Sequence, residues 1–475
     1  MSQNSNTAAA ESKQGAVNGT IGKYRWIICG LLFFATTVNY LDRQVLSLLQ
    51  PYLSEEFGWT NSDYANIAAV FQFSYAIAML FAGRFIDWLG TKKGYAWALI
   101  LWSLGAVIHA FAVGIGTVIS PIFSLVGIAI PVSVLGFMFS RLVLGIGEAG
   151  NFPAAIKTTA EWFPKKERSF ATGIFNSGSN IGAIAAPLTV PWIASHMGWQ
   201  ATFIIVGAIG FLWLVFWFYY YDTPKKMLEK GRIGQAEFDY IHSDEEEQAQ
   251  AKTDEAKEDA GEVKWFQLLK YRQTWAFVFG KFMTDGVWWF FLFWLPAYLK
   301  VQYGITGTQI MLPLAVLYSM TMVGSIGGGW FPTYFINKGM KVYNARMTAM
   351  IVIAAFPLLV LLAQPLGHYS YWFPIIIIGI GASAHQAWSA NIFTTVSDMF
   401  PKKVVASVTG IGGMAGGIGG VLISKSGGWL FDYYGAMGRI ETGYTIMFTF
   451  CAVAYVVAWV VMKLLVPRFK QITDL

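Results

Sequence analysis

Apolar runs of about 20 residues recur from end to end of this 475-residue chain, each long enough as a helix to cross a hydrocarbon layer of about 30 Å. In lipid every backbone amide must be satisfied internally, and runs of this length do so as helices. Only 13% of the residues are charged, about half of what a soluble chain of this length needs to cover its surface. The 49 glycines suit helices that approach one another closely. The expected fold class is therefore an all-α membrane protein.

We read twelve transmembrane helices. They begin near Tyr24, Tyr64, Tyr95, Leu135, Phe170 and Thr202, then near Thr274, Gln309, Ala345, Tyr371, Ala406 and Tyr444. Between the two sets of six, SDEEEQAQAKTDEAKEDAGE is almost devoid of apolar residues and reads as a solvated linker or loose helix. The expected organisation is a tail (1–23), a six-helix bundle (24–221), a linker (222–271), a second six-helix bundle (272–466) and a short tail (467–475). Basic residues fall in alternate loops: Lys92 and Lys93, Lys165 and Lys166, Lys225 and Lys226, Lys338 and Lys341, Lys402 and Lys403. The positive-inside rule then places both termini and the linker in the cytoplasm. Segment 114–131 is apolar but broken by Gly and Pro, and we read it as an outer interfacial extension, since one more span would invert every later loop. Residues 1–18 lack the apolar core of a cleavable signal, so the first span is expected to direct insertion itself.

The net charge of +6 sits in short clusters at span ends, which fits membrane topology rather than nucleic acid. Cys29 and Cys451 lie in apolar runs at opposite ends of the chain, which excludes a disulfide framework and argues against a metal. No metal and no cofactor are expected, the partners being the lipid bilayer and a small solute, and the chain is expected to be a monomer. GIGGMAGGIGG at 410–420 lacks the GK[ST] ending of a phosphate loop and lies inside a span, so close helix packing explains it.

GRFIDWLGTKK at 83–93 carries Gly83, Asp87, Gly90, Lys92 and Lys93, which matches the signature loop of the major facilitator superfamily. Its logic is a cytoplasmic latch: Gly83 allows close helix approach, and Asp87 accepts hydrogen bonds from a neighbouring helix end in one conformation. GWFPTYFINKG at 329–339 is a weak echo without the acid, as expected for halves that rock around a central site. NYLDR (39–43), RLVLGIGEAGNFPA (141–154) and EWFPKKERSFATGIFNSGSNIG (161–182) resemble the anion:cation symporter family. TDGVWWFFLFWLPAYL (284–299) and AHQAWSANIFTTVSDMF (384–400) look most like its hexuronate branch. The resemblance implies two pseudo-symmetric six-helix bundles, alternating access, and proton-coupled symport of a sugar-acid anion across the inner (cytoplasmic) membrane. A hexuronate such as galacturonate or glucuronate is the first expectation. The alternative is an aldonate such as galactonate or another carboxylate; some sugar-acid symporters bear a polar side chain near Gly413, and its absence here leaves the exact sugar acid open. An integral-membrane enzyme or a nutrient sensor would need a nucleophile motif or a signalling domain, and the chain offers neither.

Four charges lie inside apolar runs: Asp42, Arg43, Arg141 and Glu148. Each costs at least about 2.5–3.5 kcal/mol in a span, so such groups usually line a polar pathway. A guanidinium stays charged and grips a carboxylate through two parallel hydrogen bonds, which suits Arg43 to the substrate acid. Its alternatives are a partner for Asp42 or an interfacial snorkelling arginine. Arg141 and Glu148 stand seven residues apart, about 10 Å along a helix, which makes a direct bridge poor. We therefore expect Arg141 to balance Asp42 while Glu148 titrates separately. A carboxylate out of water holds its proton more tightly, and the resemblance implies that Asp42 and Glu148 carry the coupled proton. Asp285, near the start of the seventh span, is expected to accept sugar hydroxyls, with Trp288 or Trp289 against the sugar face. An acid in the headgroup zone is the alternative for Asp285. His385 and Gln386 are read as substrate contacts in the tenth span, and Tyr40 and Asn151 as further site members.

Overall fold

The computed structural model describes residues 21–125, 127, 129–243 and 265–472. The first 20 residues and the acidic core of the linker lie outside the described residues, so the readings made on them stand as expectations. In chain order α1 is Tyr24–Phe57, α2 Asn61–Leu89 and α3 Thr91–Ile108, which continues through a single 3-10 turn into α4, Ala112–Leu125. Next come α5 (Val132–Glu148) and α6 (Asn151–Trp162), which together make one pass, and α7 (Lys165–Tyr220). The two arms of α7 meet at Gly198, whose φ of 84° only glycine adopts without strain. Among the described residues the linker holds the short helices α8 (Pro224–Glu229), α9 (Gln235–Ile241) and α10 (Trp265–Leu268). The second half holds α11 (Arg272–Tyr303), α12 (Met311–Asn337), α13 (Val342–Ala355) with α14 (Ala363–Gly367), α15 (Trp372–Met399), α16 (Lys402–Ala436) and α17 (Ile440–Leu465).

Among the described residues nine helical stretches are long and apolar enough to cross a membrane, and one of them, Phe170–Tyr220, contains both arms of α7. The long helices α1 and α15 complete six passes on each side of the linker. Segment 114–131 adds no span. It extends the third pass as α4, where Gly116 rides against the backbone of Val132. Glycine sets several of the helix contacts. Gly178 and Gly182 of α7 meet the backbone of α1 at Phe33 and Thr37, and Gly105 and Gly147 let α3 and α5 touch main chain to main chain. The glycine run of α16 serves two neighbours. Gly412, Gly416, Gly419 and Gly420 face α11, whereas Gly417 and Gly428 face α2.

The halves are fastened on the face opposite the linker. Asp432 near the end of α16 accepts from the backbone N–H groups of Asn61 and Ser62 (2.8 Å each), so a carboxylate from one half caps the first turn of a helix in the other. Lys300 at the end of α11 donates to the Pro51 carbonyl (2.6 Å) and to Glu55 (2.9 Å). Deeper in, Tyr64 donates to the Phe293 carbonyl and Gln72 to Ser424.

On the linker face, charged groups pair within their own half. Asp87 is held by Lys157 of α6 at 2.6 Å, and Arg346 by Asp398. Nothing lies within 4 Å of a Cβ placed on Gly83, so in this arrangement that glycine makes no close helix approach. Among the described residues, those expected to form the latch make no ion pair across the halves. Gly90 (φ 77°) makes the turn between α2 and α3, Lys92 reaches Asp222, and Lys93 is exposed. The linker is more ordered at its start than a loose chain, because buried Glu237 of α9 accepts from the N–H of Arg25 (3.1 Å).

Asp222, just past the end of α7, is the hub of this face. Burial works against its charge, yet Lys230 (2.9 Å), Lys92 (3.2 Å) and the Thr223 N–H outweigh it and hold the carboxyl down at about 2. A carboxyl held below its ordinary value adds stability above pH about 4, and that stability is lost as pH falls through about 2. Asp222→Asn is expected to lose about 1–2 kcal/mol at pH 7, discounted for the exposure of its lysines. Melting of the purified protein at pH 7 and pH 3 checks this, the gap between wild type and variant being smaller at pH 3.

Candidate functional site

Arg43 and Glu148 meet in the middle of the first half. The Arg43 Nε and Nη2 stand 2.9 and 2.8 Å from the same oxygen, Glu148 Oε2, and both residues are buried. Glu148 is thus not separate, as its sequence neighbourhood suggests. Its cation comes from α1, 105 residues away. The other expected pairing does not form either. Arg141 donates from Nη1 to the Arg43 carbonyl (3.2 Å), and among the described residues it makes no ion pair with Asp42. Among the described residues neither carboxylate oxygen of buried Asp42 has a hydrogen-bond partner, and Glu148 Oε1 has none either. Burying a charge unpaired costs several kcal/mol, which marks Asp42 as a group whose state matters.

An aromatic cage surrounds the Arg43 guanidinium. Tyr40 (4.7 Å), Tyr75 (4.9 Å), Trp289 (5.3 Å) and Phe71 (5.5 Å) place ring centroids around its Cζ. Three belong to the first half and Trp289 comes from α11, so this cation sits where the halves face each other. Asn39 Oδ1 lies 3.4 Å from Nη2, and Nη1 donates to no protein acceptor among the described residues.

The second half holds its own ion pair, with Lys281 buried and Asp285 half-buried. Lys281 Nζ and Asp285 Oδ2 are 2.7 Å apart, one helical turn from each other and midway along α11. Asp285 is therefore neither at the start of its span nor in a headgroup zone, because α11 begins at Arg272 and continues well past it. Gly416 of α16 makes room for this carboxylate, and Phe393 lies under the Lys281 ammonium at 4.5 Å. Beyond the pair, Trp288 stacks on His385 (5.2 Å, 9° between planes), and His385 Nδ1 is 2.9 Å from the Tyr455 hydroxyl. Trp288 thus has one face occupied by His385, and its neighbour Trp289 reaches Arg43 instead.

The remaining expected members sit elsewhere. Asn151 accepts from Tyr95 (2.6 Å) and approaches Thr36 (3.5 Å), a tether within the first half rather than part of the Arg43 cluster. Gln386 is half-buried beside His385. Gly413 faces Met79 of α2. Sequence reading missed Tyr75, Phe71, Tyr455 and Lys281. For the three aromatics nothing local distinguishes a cage wall from a lipid-facing ring. Lys281 was legible, because a lysine inside FVFGKFM meets the same criterion that singled out Asp42 and Glu148. Among the described residues no group of three His, Cys, Asp or Glu gathers as a metal site.

With a charged pair placed centrally in each half and polar fastenings on one face, the architecture matches known membrane carriers. Residues 32–424 match the model of the Major Facilitator Superfamily. The hexuronate transporter of Escherichia coli K12 is 30% identical over 440 residues, covering 92% of this chain and 94% of that one. The galacturonate transporter of Dickeya chrysanthemi is 32% identical over 360 residues, covering 76% of this chain and 95% of that one. Among solved structures, a bacterial homologue of the human lysosomal transporter Spinster superposes with a TM-score of 0.69 at 16% identity, covering 96% of this chain and all of that one. The D-xylose-proton symporter superposes at 0.68 with 14% identity, covering 95% of this chain and all of that one. The chain belongs to the Major Facilitator Superfamily and is a multi-pass membrane transporter, not an enzyme.

Proposed function

We propose that this protein takes up a hexuronate, galacturonate or glucuronate, together with protons across the inner membrane, with both termini in the cytoplasm. The observation that carries the reading is the Arg43–Glu148 pair inside a cage completed by Trp289 from the other half. A sugar acid brings a carboxylate for the guanidinium, ring faces for aromatic side chains and hydroxyls for polar groups. Support comes also from the relatives named for hexuronate and galacturonate transport, similar over most of this chain.

Coupling then follows from competition. The substrate carboxylate enters at the free Arg43 Nη1 and takes over the edge that Glu148 holds. Glu148, released from its cation, binds a proton, since an unpaired buried carboxylate is costly to keep charged. Asp42, buried without a hydrogen-bond partner, is the second proton site. The fastenings at Asp432 and Lys300 make this the state closed toward the outside, and they must open for the next substrate. The Asp87 latch closes the cytoplasmic side in that opposite state.

Counterflow in proteoliposomes loaded with galacturonate tests the reading. Labelled galacturonate and glucuronate are expected to accumulate transiently, unlabelled hexuronates to compete, and galactose to have no effect. Inward proton gradients are expected to drive uphill uptake. Counterflow in vesicles loaded with galactonate, with none in vesicles loaded with galacturonate, would reassign the substrate.

Asp285 is expected to act on specificity through its pairing with Lys281. Asp285→Asn removes an acceptor and leaves the Lys281 ammonium without its partner, a loss of about 1–3 kcal/mol in the interaction it supports. The galacturonate-to-glucuronate preference is expected to change while the response to a proton gradient persists. Uptake competition between the two epimers, with and without the gradient, measures both. An unchanged preference with a lost gradient response would put Asp285 on the proton path.

A further inference from the structure

A crevice of about 840 Å³ opens at the linker-side end of the second half, where α11 begins and α17 has ended. Four cations line it, Lys270 and Arg272 at the entry to α11, Arg468 and Lys470 in the segment after α17, and among the described residues no acid lines it. All four are exposed, and none forms an ion pair among the described residues. They are gathered by chain that is tied down. Gln273 Nε2 donates to the Lys470 carbonyl (3.2 Å), the Ile472 N–H donates to the Met399 carbonyl (2.9 Å), and the Val466 and Ile472 side chains are buried. Holding four like charges around one hollow is unfavourable unless an anion shares it. α11 also starts here without a side-chain cap, which adds the positive end of a 32-residue helix.

The surroundings say what kind of anion. Phe266, Trp275, Leu464 and Phe469 are exposed on the same stretches of chain, large apolar side chains at the end of two membrane-crossing helices. Aromatic residues at that level sit among lipid headgroups. A soluble phosphate would use the cations and have no use for the apolar rim, whereas a phospholipid uses both. We propose that this crevice binds the phosphate headgroup of an anionic phospholipid, with its acyl chains against the aromatic rim.

The full-length protein in detergent, given equal amounts of phosphatidylglycerol and phosphatidylcholine and weighed by native mass spectrometry, tests this. Preferential retention of phosphatidylglycerol is expected. The quadruple variant Lys270→Gln/Arg272→Gln/Arg468→Gln/Lys470→Gln is expected to reduce that retention roughly tenfold or more, each cation contributing to the attraction. Its galacturonate binding is expected to stay at the wild-type level, which also reports that the variant is folded. Lys270→Gln/Lys470→Gln is expected to show an intermediate loss. Equal retention of the two lipids in the wild type would overturn the proposal. So would displacement of phosphatidylglycerol by an equal concentration of inorganic phosphate, which would make the site one for a soluble anion. A photo-crosslinking residue replacing Phe469 separates lipid from the acidic linker run. Capture of lipid supports the site, and capture of residues 244–262 instead would overturn it.

Discussion

Replacing Arg43 by lysine is expected to weaken galacturonate binding roughly 10- to 100-fold, although the charge is kept. The guanidinium spends Nε and Nη2 on Glu148 while Nη1 remains available, so it can hold an internal acid and an arriving one during exchange. An ammonium is a point donor and cannot offer two edges at fixed angles. Hydrogen bonds to charged groups are worth about 1.5–3 kcal/mol, which sets the size of the loss. The planar fit within Tyr40, Tyr75 and Trp289 is lost as well. Calorimetry with galacturonate and galactose checks this, because a carboxylate clamp affects only the acid. Equal losses for acid and neutral sugar, or none for the acid, would remove Arg43 from that role.

Glu148→Gln is expected to leave exchange intact and to abolish accumulation. The amide keeps an oxygen that can accept from Arg43, but it carries no charge and takes up no proton. Removing one member of a buried ion pair typically costs about 3–5 kcal/mol, because the survivor is left without a counter-charge. Here a substrate carboxylate can supply that counter-charge, so the variant is expected to bind galacturonate at least as tightly as wild type. Labelled-for-unlabelled exchange is expected to persist, and an imposed proton gradient is expected to drive no net uptake. Uphill accumulation by the variant would move proton coupling away from Glu148. The two variants separate the roles: Arg43→Lys fails at recognition and Glu148→Gln at energy coupling.

The same pair shows where reading along the chain stops. Asp42, Arg43, Arg141 and Glu148 stand out because each is a charge in an apolar run, a property of neighbours within one span. Which of them pair depends on how α1 and α5 lie against one another. Spacing within α5 ruled out an Arg141–Glu148 bridge, but it carried no information on the reach of Arg43. The second half repeats the point. Asp285 drew notice through the two tryptophans that follow it, whereas its actual companion lies four residues earlier, and the helix extends far enough on both sides to set the acid mid-span.

What the sequence determined by itself is the set of helices, their order in two sixes around an acidic linker, and the residues too polar for lipid. Those follow from local physics. A backbone in hydrocarbon must close its own hydrogen bonds, and an apolar run of a given length has one way to do so. The tertiary structure alone decided that Glu148 belongs to Arg43, that Trp289 rather than Trp288 spans the gap between halves, that Gly83 has no close neighbour while the Asp432 cap is shut, and that Lys281 neutralises Asp285. Each of the contacts among these joins side chains through packing between helices or rotamers within one, and one helix face can meet several neighbours at similar energy. Only the assembled bundle, which sets the helix faces against one another and so decides which buried charges come within about 4 Å of a partner, selects among them.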